Sequence, residues 1–195
     1  MRWLSRLFLW LNGWKIVDRL PGGIRAVQKC VLIAAPHTSN WDYPYALSVF
    51  YAKGAPVQFL AKTSLFRFPL GFFVRASGGI PVDRAQRNNL VDSMIGLFRQ
   101  RERLILMIPV EGTRGYVAEW KSGFYHVARG ANVPIVLGFL DYGKKEAGFH
   151  SLFLTTGDYA ADLKALQDIY SQITPRHPEQ YSLRNYGTTR SDSGN

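Results

Sequence analysis

The stretch Lys29-Cys30-Val31-Leu32-Ile33-Ala34-Ala35-Pro36-His37-Thr38-Ser39-Asn40-Trp41-Asp42 decides the fold. From Cys30 to Ala35 it is an unbroken apolar run, without the polar alternation of a half-exposed strand, so it reads as a strand buried on both faces. Pro36 ends the strand because proline has no N–H to give a neighbour. Ser39 or Asn40 can cap a helix, and Tyr43 to Tyr51 continues as one. The unit is strand, tight turn, helix.

The same alternation runs outward from this unit. Val57 to Ala61, Gly79 to Val82, Leu104 to Pro109, Ile135 to Leu140 and Ser151 to Thr155 read as further strands. Leu90, Val91, Met94, Leu97, Phe98 and Arg101 mark one face of a helix ending near Glu102, and Ser122 to Arg129 fits a shorter one. Asp158 can cap a last helix carrying Leu163, Leu166, Tyr170 and Ile173 until Pro175 stops it. Such alternation predicts a single α/β domain with a largely parallel central sheet flanked by helices, and in such sheets the site lies beyond the carboxyl ends of the strands.

At the N-terminus, residues 3–17 place Trp3, Leu4, Leu7, Trp10, Leu11 and Trp14 at helical spacing, with Arg2, Ser5, Arg6, Asn12 and Lys15 off that stripe. The reading is an amphipathic helix, within a segment 1–20, whose tryptophans suit a membrane interface. Packing on the protein's own core would explain the stripe equally. No run reaches the 18 to 20 apolar residues, roughly, that a spanning helix needs, and no small-residue cleavage site follows the first apolar run, so the segment is expected to be retained. The main domain is expected over 24–183, with a Gly-, Ser- and Thr-rich disordered tail over 184–195. Between these, Lys62 to Arg75 mixes Phe66, Phe68, Phe72 and Phe73 with basic residues and is a second candidate for a lipid-facing element.

Composition narrows the function. A net charge of +10, from 24 Lys and Arg against 14 Asp and Glu, favours anionic partners, whether nucleic acid, anionic lipid or phosphorylated substrates. Cys30 is the sole cysteine, which excludes an intrachain disulfide and a CxxC zinc site, and its apolar setting reads as core. His126, His150 and His177 have no carboxylate or cysteine at ligand spacing and read as structural or surface residues, so no metal is expected.

His37 and Asp42 stand five apart. On a continuous helix that spacing separates them by about 140°, but across a strand-to-helix turn His37 can fold back onto Asp42. An Asp on one imidazole nitrogen fixes the tautomer and leaves the other nitrogen as a base. No GxSxG elbow supplies a serine nucleophile, so direct attack by a hydroxyl on its acyl partner replaces a covalent intermediate. Two further strand ends carry Gly79-Ile80-Pro81-Val82-Asp83-Arg84 and Pro109-Val110-Glu111-Gly112-Thr113-Arg114. Both bring an arginine, whose planar fork suits phosphate oxygens, though a lone Arg is more often a solvated surface residue.

These blocks, with Val133-Pro134-Ile135-Val136, occur in the order shown by the glycerolipid acyltransferase superfamily, and the chain resembles its 1-acylglycerol-3-phosphate acyltransferases. The resemblance implies lysophospholipid acyltransferase activity in membrane lipid synthesis: an acyl group passes from acyl-CoA or acyl-carrier protein to the hydroxyl of a lysolipid. It implies a catalytic HX4D pair in His37 and Asp42, acceptor binding by Arg84, Glu111, Gly112, Thr113 and Arg114, and a site wall at Pro134. The donor is a substrate, and no cofactor is implied. The expected partners are an anionic membrane surface, a lysolipid and a carrier protein, with no nucleic acid. The expected location is the cytoplasmic face of a membrane such as the bacterial inner membrane, in peripheral or monotopic attachment. The same chemistry on a lyso-ornithine lipid is the alternative, and a module that binds anionic membrane or nucleic acid is the non-enzyme one.

Overall fold

A computed structural model describes residues 1–82 and 90–186. Within them the apolar runs become β2 (Lys29–Ala34), β3 (Val57–Lys62), β4 (Gly79–Val82), β5 (Leu104–Pro109) and β6 (Ile135–Asp141). These five run parallel to one another. Two more strands, β1 (Lys15–Asp18) and β7 (Glu146–Phe153), extend one edge, giving the order β1-β7-β6-β2-β5-β3-β4. β7 is antiparallel to β6, and β1 is parallel to β7.

Successive side chains of β2 point to opposite faces, as a strand requires. Val31 and Ile33 join the core beneath α4 (Leu90–Gln100), α5 (Gly123–Ala131) and α6 (Tyr159–Tyr170), packing with Phe98, Phe124, Leu166 and Tyr170. Cys30 and Leu32 face the other way, toward α1 (Arg2–Leu11) and α2 (Asp42–Lys53), with Leu9, Trp14, Tyr45 and Val49. Burial pushes the Cys30 thiol up to about 12, so it stays protonated core. Asp158 caps α6 as expected, accepting from the N–H groups of Ala160 and Ala161.

Three expectations need correction. The N-terminal helix ends at Leu11 rather than near residue 17, because Gly13 adopts φ +74° and turns the chain. Trp14 then points inward, 4% exposed, between the rings of Tyr45 and Tyr142, and Lys15–Asp18 becomes edge strand β1 instead of helix. The last strand begins at Glu146, not Ser151, because a tight turn after Asp141 folds the chain straight back on β6. Finally, the packed domain continues past residue 183. Arg184 lies over the Tyr116 ring and the Tyr186 hydroxyl donates to Asp168. Of the expected tail, residues 187–195 lie outside the described residues.

The β1–β7 edge depends on Gly148. A Cβ there would sit 1.7 Å from the Val17 carbonyl oxygen, an overlap that only strand separation could relieve. No helix among the described residues is long and apolar enough to cross a membrane.

Candidate active site

The chain leaves β2 through a cis Ala35–Pro36 bond and makes a tight turn before α2. Asp42, the first residue of α2, carries its carboxylate back under that turn, where it is 4% exposed. Its Oδ2 accepts from the N–H of Thr38 at 3.0 Å and of Ser39 at 2.9 Å, and from Nδ1 of His37 at 3.1 Å. Its Oδ1 accepts from the Tyr142 hydroxyl at 2.7 Å. Four donors therefore satisfy a carboxylate taken out of water, the condition under which such burial is tolerated. Burial, and then this hydrogen bond to Asp42, raise the Tyr142 hydroxyl above its ordinary range, against the lowering influence of Arg176. Tyr142 thus stays a donor.

Because Nδ1–H of His37 faces Asp42, its lone pair resides on Nε2. The imidazole borders a cavity of about 120 Å³ whose other walls include Leu32, Ala46, Leu47, Phe50, Phe59 and Leu140. One imidazole base thus meets an almost wholly apolar slot beneath α2.

Glu111 supports the same turn from the end of β5. It is 1% exposed; Oε2 accepts from the His37 N–H at 2.8 Å, while Oε1 accepts from the N–H and hydroxyl of Ser182 at 3.2 and 2.7 Å. Its carboxylate is spent on holding the protein, so it positions His37 through the backbone. Gly112 turns the chain at φ +68°, with the Lys121 side chain occupying the space a Cβ would need. Thr113 is exposed, its hydroxyl accepting from the Gly115 N–H. Arg114 is also exposed and donates to Asn40 Oδ1 in the His37–Asp42 turn.

The structure thus brings together His37, Asp42, Glu111, Gly112, Thr113 and Arg114. It does not bring Pro134 to them. Pro134 precedes β6 at the opposite strand end from His37, and its carbonyl accepts from the Val31 N–H. Arg84 lies outside the described residues. Sequence reasoning missed Tyr142 and Ser182, which follow β6 and α6 and carry no local signature. Of the histidines set aside, His126 stacks on Tyr159 and His150 contacts Ser151, its imidazole pushed below the usual range by burial and Arg19. His177 differs, since its N–H donates to Thr38 Oγ1 and so touches the site loop. The described residues hold no cluster of metal ligands.

A largely parallel sheet with an oriented imidazole at its carboxyl edge, beside an apolar slot, gives the chain the architecture of an α/β enzyme. An acyltransferase family model matches residues 19–136, more than half of the sequence, and the chain belongs to the acyltransferase family. It is 30% identical over 127 residues to 1-acyl-sn-glycerol-3-phosphate acyltransferase of Saccharomyces cerevisiae, a match covering 60% of this chain and 41% of that one. It is 32% identical over 144 residues to a probable 1-acyl-sn-glycerol-3-phosphate acyltransferase of Mycoplasma pneumoniae, covering 68% and 52% respectively. The chain thus spans about half the length of the curated relatives it matches. Its fold is shared with the crystal structure of the 1-acyl-sn-glycerophosphate (LPA) acyltransferase PlsC from Thermotoga maritima. That likeness has a TM-score of 0.57 at 18% identity, over 85% of this chain and 73% of that one.

Proposed function

We propose that this chain moves a fatty acyl group from the thioester of acyl-CoA or acyl-carrier protein to the hydroxyl of 1-acylglycerol 3-phosphate or a closely related lysolipid. The observation that carries the proposal is that His37, whose Nδ1 is held by Asp42, lines the apolar slot under α2. Nε2 takes the proton of the acceptor hydroxyl as its oxygen attacks the thioester carbonyl. The tetrahedral intermediate collapses with loss of the thiolate, and the imidazolium returns the proton to sulfur. Asp42 holds the ring in one tautomer throughout and stabilises its cation. The slot takes the apolar arm and keeps water from competing with the acceptor. Arg114 faces the acceptor's phosphate, with Arg84 as its expected counterpart.

Attachment at a membrane interface, on the cytoplasmic face, belongs to the same reading. Trp3, Leu4, Trp10 and Leu11 form an exposed stripe along α1, which packs on α2. Phe68, Phe72 and Phe73 are exposed in and beside α3 (Leu70–Ala76), with Arg67 and Arg75 nearby. The end of α3 also contacts α2, where Tyr43 and Tyr51 donate to Ser77 and Ala76. Both apolar patches therefore border the helix that roofs the slot, giving a lipid chain a short path from bilayer to base.

The test is the purified full chain with oleoyl-CoA or oleoyl-carrier protein and a panel of lysolipids, including an ornithine-linked one. Free thiol should appear in equal amount with acylated lipid. Thiol released without acylated product would replace the transferase reading with a thioesterase one.

A further inference from the structure

Beyond residue 136, where the family match stops, residues 174–183 return across the site as a strap. The Thr174 carbonyl accepts from the Tyr142 N–H at 2.9 Å, the His177 N–H donates to Thr38 Oγ1 at 3.2 Å, and Ser182 donates twice to Glu111. Trp120 Nε1 donates to the Ser182 hydroxyl at 2.8 Å and the Tyr181 hydroxyl to the Tyr170 carbonyl at 2.9 Å. Ile173, Tyr181 and Leu183 are buried and pin both ends. These bonds fix the strap to the turn that carries His37 and Asp42 and to the loop that carries Glu111.

Between the pins the strap presents one cation. Arg176 is exposed, and its guanidinium carbon lies 5.8 Å from the ring centroids of both Trp41 and Tyr142. Trp41 immediately precedes Asp42, and Tyr142 donates to it. Aromatic faces restrain a guanidinium without neutralising it, and among the described residues no carboxylate lies within ion-pair distance of Arg176. Arg114, likewise unpaired with any acid among the described residues, holds Asn40 in the same turn. Two guanidiniums thus flank residues 40–42, each held in place with no carboxylate of the described residues at ion-pair distance.

We propose that Arg176 is a phosphoryl-binding residue of this site, forming with Arg114 a cationic rim that takes a phosphate group of a substrate next to His37. This rests on the acyl-transfer reading and extends it to a residue outside the matched blocks. The planar fork suits phosphoryl oxygens, which a lysine would meet as a point charge only. The phosphate can come from the acceptor or from the nucleotide or pantetheine portion of the donor, and kinetics separates them.

R176Q and R176K are compared with the wild-type full chain, with far-UV circular dichroism and thermal melts to establish that they fold alike. Steady-state rates are measured by varying 1-oleoyl lysophosphatidate and oleoyl-CoA in turn, and monooleoylglycerol replaces the phosphorylated acceptor as control. R176Q should raise KM for one phosphorylated substrate about tenfold or more while kcat stays within about twofold, with R176K between the two. A rise confined to lysophosphatidate places the acceptor's phosphate at the rim, and one confined to oleoyl-CoA places the donor's. A fall in kcat with both KM values unmoved, or rates unchanged throughout, would overturn the proposal, the former making Arg176 a positioning residue for Asp42. Titration calorimetry with coenzyme A and with hexanoyl lysophosphatidate measures binding independently of turnover. R176Q should weaken one of the two about tenfold, and unaltered affinity for both would sink the proposal. A wild-type chain that transfers no acyl group defeats the acyl-transfer reading, while the titrations still decide Arg176.

Discussion

The turn from Pro36 to Asp42 leads into α2, the surface made by α1 and α3 borders that helix, and the two are built on opposite terms. In the turn the buried carboxylates are fully partnered: Asp42 accepts four hydrogen bonds and Glu111 three, drawn from the turn itself, the β6–β7 turn and the C-terminal strap. On the surface large apolar side chains have almost none, with Trp10 72% and Phe68 97% exposed. Internal partners hold a geometry that must be kept within a fraction of an ångström for proton transfer. An unpartnered apolar patch leaves its binding energy available for something outside the chain. The contrast makes a general expectation: substitutions in the turn change turnover, and substitutions on the surface change where the enzyme resides.

The largest effect is expected at the turn. His37→Ala should lower turnover at least about a hundredfold, the scale of losing a general base, because the described residues offer no second imidazole bordering the slot. His37 is partly exposed, so thermal melting should stay close to wild type. Retention of more than about a tenth of the wild-type rate would remove His37 from the mechanism. Asp42→Asn should be comparably severe in rate, since an amide cannot stabilise the imidazolium. It should also lower stability by about 1–3 kcal/mol, measured by urea denaturation, because donors of the turn lose a charged acceptor.

Tyr142→Phe sharpens the contrast with a smaller step. It removes the single donor to Asp42 Oδ1 and leaves the other three bonds of the carboxylate intact. Hydrogen bonds to charged groups contribute about 1.5–3 kcal/mol. Turnover should fall about tenfold, with KM for the donor unchanged, if that energy is used to orient Asp42. A phenylalanine variant that loses stability but keeps its rate would make Tyr142 a brace for the fold alone.

How much of this is legible in the sequence follows the reach of each interaction. Leu104–Pro109 coincides with its predicted bounds, because an apolar run in an interior strand declares itself in consecutive residues, and Gly79–Val82, a half-buried edge strand, coincides as well. His37 and Asp42 are legible for the same reason, their bond closing over five positions. Tyr142 reaches Asp42 across 100 residues and Ser182 reaches Glu111 across 71, and no local pattern marks either. Glu111 is a site residue in the sequence and in the fold, but its carboxylate serves the His37 backbone and Ser182 rather than facing outward. The N-terminus misleads through its period. Trp14 extends the helical stripe of Trp3, Leu7 and Trp10 in sequence, but Gly13 reverses the chain before it and delivers its indole to the core.

That reversal decides how the membrane reading must be tested. Removing residues 1–17 would take away most of β1, whose Lys15, Ile16 and Val17 pair with β7, together with buried Trp14. Lost binding would then report an opened core rather than a missing anchor. Substitutions confined to exposed positions avoid this. Trp3→Ser with Trp10→Ser on α1, and Phe72→Ser with Phe73→Ser on α3, alter side chains that are mostly solvent-exposed. Stability should move by no more than about 0.5 kcal/mol per site, as for surface positions generally. On vesicles containing anionic phospholipid, each pair should reduce the floated fraction, and all four together should reduce it most. Salt should weaken attachment of the wild-type chain without abolishing it, because Arg67 and Arg75 add a screened attraction to an apolar one. Turnover on short-chain, monomeric substrates should be unchanged in all three variants. Equal flotation of wild type and the fourfold variant would defeat the interfacial reading, leaving both aromatic patches as surface without an assigned partner.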